Sequence, residues 1–213
     1  MDNNIKAIIF DLDGTLINNL NMFKNTAKII NERFFNNNEN QKKVFNYVYC
    51  LFEKQNLTQT IYDTFSFKPI KDKLDSTIYQ VYPKTAKLVY GAKSYLKKLK
   101  NNGVKIGILT NGPLNQNLKI ESLNIKNMID SVVISDEYGF KKPDAKIYQL
   151  ILTKLNLSPT ECVFVGDNPQ TDILGAVNID MKSVLISKEK KDFGQTWTVK
   201  NFQELTKIPE LNC

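Results

Sequence analysis

The stretch Ala7-Ile8-Ile9-Phe10-Asp11-Leu12-Asp13-Gly14-Thr15-Leu16 decides the reading of the fold. Its first four residues are apolar without interruption, which suits a strand buried on both faces of a parallel sheet, where helices cover each side. The run stops at Asp11, so a carboxylate stands at the carboxyl end of that strand, the edge at which open α/β sheets bind ligands. A second carboxylate, Asp13, follows two residues later beside Gly14. Spacing excludes a calcium loop of the EF-hand kind. Such a loop needs glycine at its sixth position and glutamate at its twelfth, whereas counting from Asp11 the glycine falls fourth and Met22 twelfth.

Comparable apolar runs recur at Lys105–Leu109, Ser131–Ile134, Cys162–Val165 and Ser183–Ile186, so five strands are expected in all, the first at Lys6–Phe10. Between them apolar residues recur at helical spacing. Ala92, Tyr95, Leu96 and Leu99 share a face that Gly103 is placed to end; Ile147, Ile151, Leu152 and Leu155 share another after Pro143-Asp144; Ile173, Leu174 and Val177 suggest a third. Strands alternating with helices imply right-handed βαβ units and an α/β fold, a Rossmann-like doubly wound parallel sheet of about five strands. Residues 18–85 carry helical stripes and no good strand: Phe23, Ala27, Ile30, Phe34; Val44, Val48, Leu51; Leu57, Ile61, Phe65; and Leu74, Ile78, Val81, with a turn in Asn36–Asn40. A small helical insertion is therefore expected after the first strand.

Composition removes several chemistries. The 213 residues include no histidine, so no Ser-His-Asp or Cys-His relay, phosphohistidine or His-ligated zinc can be built. Cys50, Cys162 and Cys213 are odd in number and lack CxxC spacing, which argues against a disulfide framework and a structural zinc. The net charge of +7 invites a nucleic-acid partner, but Arg33 is the one arginine among 29 basic residues, and the lysines are scattered. The guanidinium fork that grips phosphates and guanine edges is almost absent, so no nucleic-acid partner is expected. Apolar runs are too short to span a bilayer, and the start is not that of a signal peptide; no membrane partner and a reduced, cytoplasmic setting are expected. The chain bears no readable signal of oligomeric state.

The strand ends carry the chemistry. A carboxylate can attack phosphorus to form an aspartyl phosphate that water then hydrolyses, and a second carboxylate can protonate the leaving oxygen and later deprotonate the water. Asp11 and Asp13 offer that pair without histidine. An anionic nucleophile approaching a phosphate needs a cation, and Gly166-Asp167-Asn168-Pro169-Gln170-Thr171-Asp172 supplies a further carboxylate after the buried Val163-Phe164-Val165. Asp11, Asp167 and a main-chain carbonyl make a magnesium set. Thr110-Asn111-Gly112 follows Ile106–Leu109 and can cradle a phosphate with a hydroxyl and backbone N–H groups, and Lys142, before Pro143, can neutralise phosphoryl charge.

With these four elements in order at strand ends, the chain resembles the haloacid dehalogenase superfamily of hydrolases, in the subgroup with a helical cap inserted after the first motif (phosphoglycolate phosphatase and β-phosphoglucomutase types). The resemblance spans essentially the whole chain. It implies a catalytic core of residues 1–17 and 86–213 and a cap of residues 18–85. It also implies Asp11 as nucleophile and Asp13 as general acid/base, with Mg2+ held by Asp11, the Asp13 carbonyl and Asp167. Thr110 and Lys142 are then expected to hold the phosphoryl group with Asn111 beside it, while Thr15 and Asp172 support the site from behind.

Several activities share this family. Asp13 is present, which favours phosphoryl transfer over dehalogenation. Phosphonate cleavage would need a cap lysine as Schiff base, and Lys24, Lys28, Lys42 and Lys43 read as solvated helix residues. The mutase relatives use a cap histidine just after the first motif, where this chain reads Ile17-Asn18-Asn19-Leu20. A phosphatase acting on a small phosphorylated metabolite is therefore expected, with a phosphomutase or a catalytically idle binding protein as the alternatives.

Overall fold

The computed structural model describes residues 5–53, 70–189 and 191–212. The chain divides into two compact units, Met1–Asn18 with Leu88–Cys213, and Asn19–Lys87. Its strands are β1 (Ala7–Phe10), β2 (Lys105–Thr110), β3 (Ser131–Ile134), β4 (Cys162–Gly166), β5 (Lys182–Ile186) and β6 (Trp197–Val199). The α-helices among the described residues are α1 (Asn19–Phe34), α2 (Asn38–Glu53), α3 (Lys71–Val81), α4 (Ala92–Asn101), α5 (Gln116–Ser122), α6 (Ala145–Leu155) and α7 (Leu174–Val177).

In the first unit the strands form one parallel sheet in the order β3-β2-β1-β4-β5-β6. The sheet has six strands rather than the five expected. The sixth, Trp197-Thr198-Val199, is a three-residue edge strand in which only Val199 is buried, so it leaves no apolar run to read. β1 lies in the middle, with Phe10 opposite Ile108 of β2 and Val165 of β4. This register brings the carboxyl ends of β1, β2 and β4 to one edge of the sheet.

The continuous apolar character of β1 follows from burial on both faces. Ala7 and Ile9 pack in one cluster with Ile147, Ile151 and Leu155 of α6 and with Phe164 of β4. Phe10 points to the other side, stacking on Phe202 with ring centroids 5.8 Å apart and meeting the edge of Tyr95 of α4 at 6.4 Å. α6 begins where the Asp144 side chain accepts from the Lys146 N–H at 2.9 Å and ends at Asn156, whose φ of +54° breaks the helix.

Ile173, Leu174 and Val177 do not form the shared buried face expected of them. Ile173 is buried, but Leu174 and Val177 are exposed, and α7 buries Gly175 and Ala176 instead. The cause is a widened turn over Pro169–Ile173, in which the N–H groups of both Asp172 and Ile173 donate to the Asn168 carbonyl. The extra residue in that turn rotates the helical face that follows.

The described residues of the second unit are mostly helical. Phe23, Ala27 and Ile30 of α1, Val44 and Val48 of α2, and Leu74 and Ile78 of α3 are buried, while Phe34, Leu51 and Val81 near the helix ends are half-buried. Tyr82 stacks on Phe52 at 3.8 Å and on Phe23 at 5.6 Å between centroids, and the buried Thr26 and Thr85 hydroxyls share a hydrogen bond of 3.0 Å. The turn expected in Asn36–Asn40 is shorter: α2 already begins at Asn38, because Asn37 Oδ1 accepts from the Glu39 N–H at 2.8 Å and caps it. The stripe of Leu57, Ile61 and Phe65 lies outside the described residues.

Ile151 is fully buried and its Cδ1 lies close to Gly107 of β2, so little can move in to replace it. Ile151→Ala is expected to lower unfolding free energy by about 2–5 kcal/mol, measured by urea titration.

Candidate active site

Four loops at the carboxyl edge of the sheet supply the site. The loop after β1 is fixed at its root by the Asp11 N–H, which donates to the Val165 carbonyl at 2.9 Å. It then turns back on itself, with the Leu16 and Ile17 N–H groups donating to the Leu12 carbonyl. Gly14 makes that turn with φ of +92°, and a Cβ built there would lie 2.3 Å from Asp167 Oδ2. Glycine is needed here both for the backbone and for the carboxylate that occupies the space.

Asp11 is buried and faces Lys142, whose ammonium donates to Asp11 Oδ1 at 2.5 Å and to Asp172 Oδ1 at 2.7 Å. Lys142 is itself buried, and its Nζ lies 5.4 Å from the centre of the Phe164 ring. Two tethers hold its backbone: the Lys142 N–H donates to Asn111 Oδ1 at 2.9 Å, and Asn111 Nδ2 donates to the Lys142 carbonyl at 3.0 Å. Asn111, expected beside a phosphoryl group, thus uses both ends of its amide to place Lys142. Thr110 closes β2 with its hydroxyl buried, 3.4 Å from Gln116 Nε2.

Asp172 does more than face Lys142. Its Oδ2 accepts from the N–H groups of Asp167 at 3.1 Å and Asn168 at 3.0 Å, so it shapes the turn that presents Asp167. The Thr15 hydroxyl donates to Asp167 Oδ1 at 3.1 Å, which ties the loop after β1 to the loop after β4.

Asp11, Asp167 and Asp172 each offer a carboxylate oxygen, and these lie within 4.8 Å of one another. Burial raises Asp11 to about 8; the Lys142 ammonium opposes that rise, and the Asp172 and Asp167 charges add to it. Asp167 is raised to about 6, by burial and then by Asp172, against the Thr15 hydrogen bond and Lys142. Burial works against the Lys142 ammonium, but Asp11 and Asp172 more than offset it and its pKa is raised. Three carboxylates share one ammonium, and the excess negative charge fits a hard divalent cation such as Mg2+.

Asp13, placed by sequence in the metal set through its main-chain carbonyl, has its carboxylate engaged by α5. Lys119 Nζ donates to Asp13 Oδ1 at 2.7 Å and to Oδ2 at 2.6 Å, and Gln116 Nε2 donates to Oδ2 at 2.8 Å. Sequence reasoning missed both residues. Gln116 and Lys119 are three apart on α5, one face of a helix following Thr110-Asn111-Gly112, and that spacing was the available signal.

A parallel α/β sheet with paired aspartates after its central strand, a hydroxyl at the end of the next, and a buried lysine facing an acidic loop defines a carboxylate-centred class of enzyme. The family model described as haloacid dehalogenase-like hydrolase matches residues 8–186, and the chain belongs to that family. The chain is 34% identical over 120 residues to a glyceraldehyde 3-phosphate phosphatase of Methanothermobacter thermautotrophicus, which covers 56% of the chain and 53% of that protein. It is 29% identical to one of Methanocaldococcus jannaschii over 96% of each. The chain spans about half the length or less of the curated relatives it matches at higher identity, such as the Pyrococcus furiosus protein of the same name, 42% identical over 45% of the chain and 40% of that protein. Among solved structures, the fold resembles the HAD-hydrolase YfnB from Bacillus subtilis, with a TM-score of 0.73 at 17% identity over 98% of the chain and 99% of that one.

The raised carboxyl groups give a pH dependence of defined sign. Between pH about 4 and 8 the folded, metal-free protein holds a proton on Asp11 that the unfolded chain releases, and Asp167 adds to this up to about 6. Stability of the metal-free protein therefore falls as pH rises through that window. Magnesium, which stabilises the ionised carboxylates, is expected to raise Tm more at pH 8 than at pH 5, by differential scanning calorimetry. Gly14→Ala, which drives a methyl group into Asp167, is expected to remove most of that magnesium response.

Proposed function

We propose that this chain is a magnesium-dependent phosphatase that hydrolyses a small phosphomonoester through an aspartyl phosphate on Asp11. The observation that carries the reading is the buried arrangement of Asp11 and Lys142, with a nucleophilic carboxylate beside a cation that can hold a phosphoryl oxygen. The phosphatase names of the relatives support it, as does the small phosphorylated substrate of each: glyceraldehyde 3-phosphate, phosphoserine and ribulose bisphosphate. We take a three-carbon phosphorylated aldehyde or acid as the first substrate to try.

In this reading Asp11, Asp167 and the main-chain carbonyl of Asp13 would hold Mg2+. Bound there, the ion neutralises the carboxylates and the incoming phosphoryl group so that an anion can attack an anion. Asp11 attacks phosphorus, and the bond from phosphorus to the leaving oxygen breaks as Asp13 delivers its proton to that oxygen. Water then attacks the phosphoryl group, Asp13 takes the water's proton, and the bond to Asp11 breaks. Lys142 and the Thr110 hydroxyl hold phosphoryl oxygens, and Asp172 keeps Lys142 in place when Asp11 is occupied. The core unit carries the chemistry. Free Cys50 and Cys162 are consistent with the reduced, cytoplasmic setting we assign.

The test is phosphate release from 4-nitrophenyl phosphate and from a panel of phosphorylated metabolites with magnesium. Asp11→Asn is expected to lower turnover at least about 10³-fold while leaving the fold intact by circular dichroism, and EDTA to remove wild-type activity reversibly. Equal activity in Asp11→Asn, or no phosphate release by the wild type, overturns the reading. Conversion of a hexose 1-phosphate to its 6-isomer without phosphate release favours the mutase.

A further inference from the structure

Every lysine engaged in an ion pair elsewhere on the described surface has a side chain between 41% and 73% exposed. Two lysines depart from this: Lys142, at 2%, and Lys119, at 6%. An ammonium is buried only where its partners compensate for the lost water. For Lys142 those partners are Asp11 and Asp172; Lys119 meets both oxygens of Asp13, with distances of 2.7 and 2.6 Å. Gln116, one turn earlier on α5 and equally buried, adds its 2.8 Å bond to Oδ2. Its amide is oriented by its acceptors, since the same Nε2 also reaches the Asn111 carbonyl at 3.2 Å and the Thr110 hydroxyl at 3.4 Å.

Asp13 stands on the loop made by Gly14 with its side chain a quarter exposed, and its carboxylate takes side-chain contacts from α5. We propose that Lys119, assisted by Gln116, is the positioning residue for Asp13, fixing the direction from which the acid/base meets the leaving oxygen. The inference rests on the phosphatase reading, in which Asp13 exchanges that proton. Lys119 acts through Asp13, both of whose oxygens it binds. Its grip matters most where the proton matters most, in expelling a poor leaving group such as an alkoxide, and little for 4-nitrophenolate, which departs without protonation.

The test compares kcat/KM, which reports the steps through phosphorylation of Asp11, for 4-nitrophenyl phosphate and for the best alkyl phosphate in the metabolite panel. Lys119→Met is expected to lose about 10- to 100-fold on the alkyl ester, part of what an acid contributes, and less than about threefold on the aryl ester. Lys119→Arg is expected to regain most of the loss, because it restores donors to both oxygens. Gln116→Leu is expected to show the same selectivity at smaller size, and it decides the matter if Lys119→Met does not fold. Loss of equal size on both esters, or none, in the folded variants overturns the positioning role while the phosphatase reading stands on wild-type activity. Absence of phosphate release by the wild type from either ester overturns both.

Discussion

The Lys142 ammonium, held between Asp11 and Asp172 away from water, is the interaction on which the rest of the site depends. Each of these three groups alone would be costly to bury, and together they are still short of positive charge. That imbalance explains the geometry around them. Asp172 is stabilised further by two backbone N–H groups, Lys142 is pinned through its main chain by Asn111, and Asp167 is left near Asp11 with a raised pKa. The remaining deficit is the positive charge that a divalent cation would supply.

The sheet makes this possible by bringing the residues to one edge. Because β1 lies between β2 and β4, Asp11 follows Phe10 while Thr110 and Gly166 end the flanking strands. Gly166 repeats the device of Gly14, since a Cβ there would fall 2.3 Å from Asp172 Oδ2. Both glycines are missing side chains whose volume a carboxylate takes up. The acidic groups therefore come together over backbone, without displacing any of the core beneath.

Much of this was legible in the sequence, and the parts that were not share a cause. The five buried strands announced themselves as apolar runs because helices cover both their faces, Asp11 and Asp167 stood out as polar residues just beyond such runs, and Lys142 was read from its place before Pro143, eight residues past β3. Trp197–Val199 did not, since an edge strand with one buried residue has no pattern of its own. The phase of α7 was misread because a single widened turn at Pro169–Ile173 rotates everything after it. The spacing of Gln116 and Lys119 marks a shared helix face but not what that face meets: the burial of Lys119 depends on Asp13, 106 positions away. For Asn111 the motif gave the place but not the tie to the Lys142 backbone, for a motif tells where a residue stands and not which of its atoms are already engaged.

The side-chain contacts at the sheet edge close into a ring. Asn111 binds the Lys142 backbone, Lys142 binds Asp172, Asp172 binds the turn at Asp167, Thr15 binds Asp167, Asp13 on the same loop accepts from Gln116, and Gln116 returns to the Asn111 carbonyl. A closed ring has no end to fray. Cutting any one link leaves a chain that still connects all four loops, so no loop comes loose until a second link is lost. The site thus behaves as one mechanical piece, in which a displacement imposed on one strand end is shared by the other three.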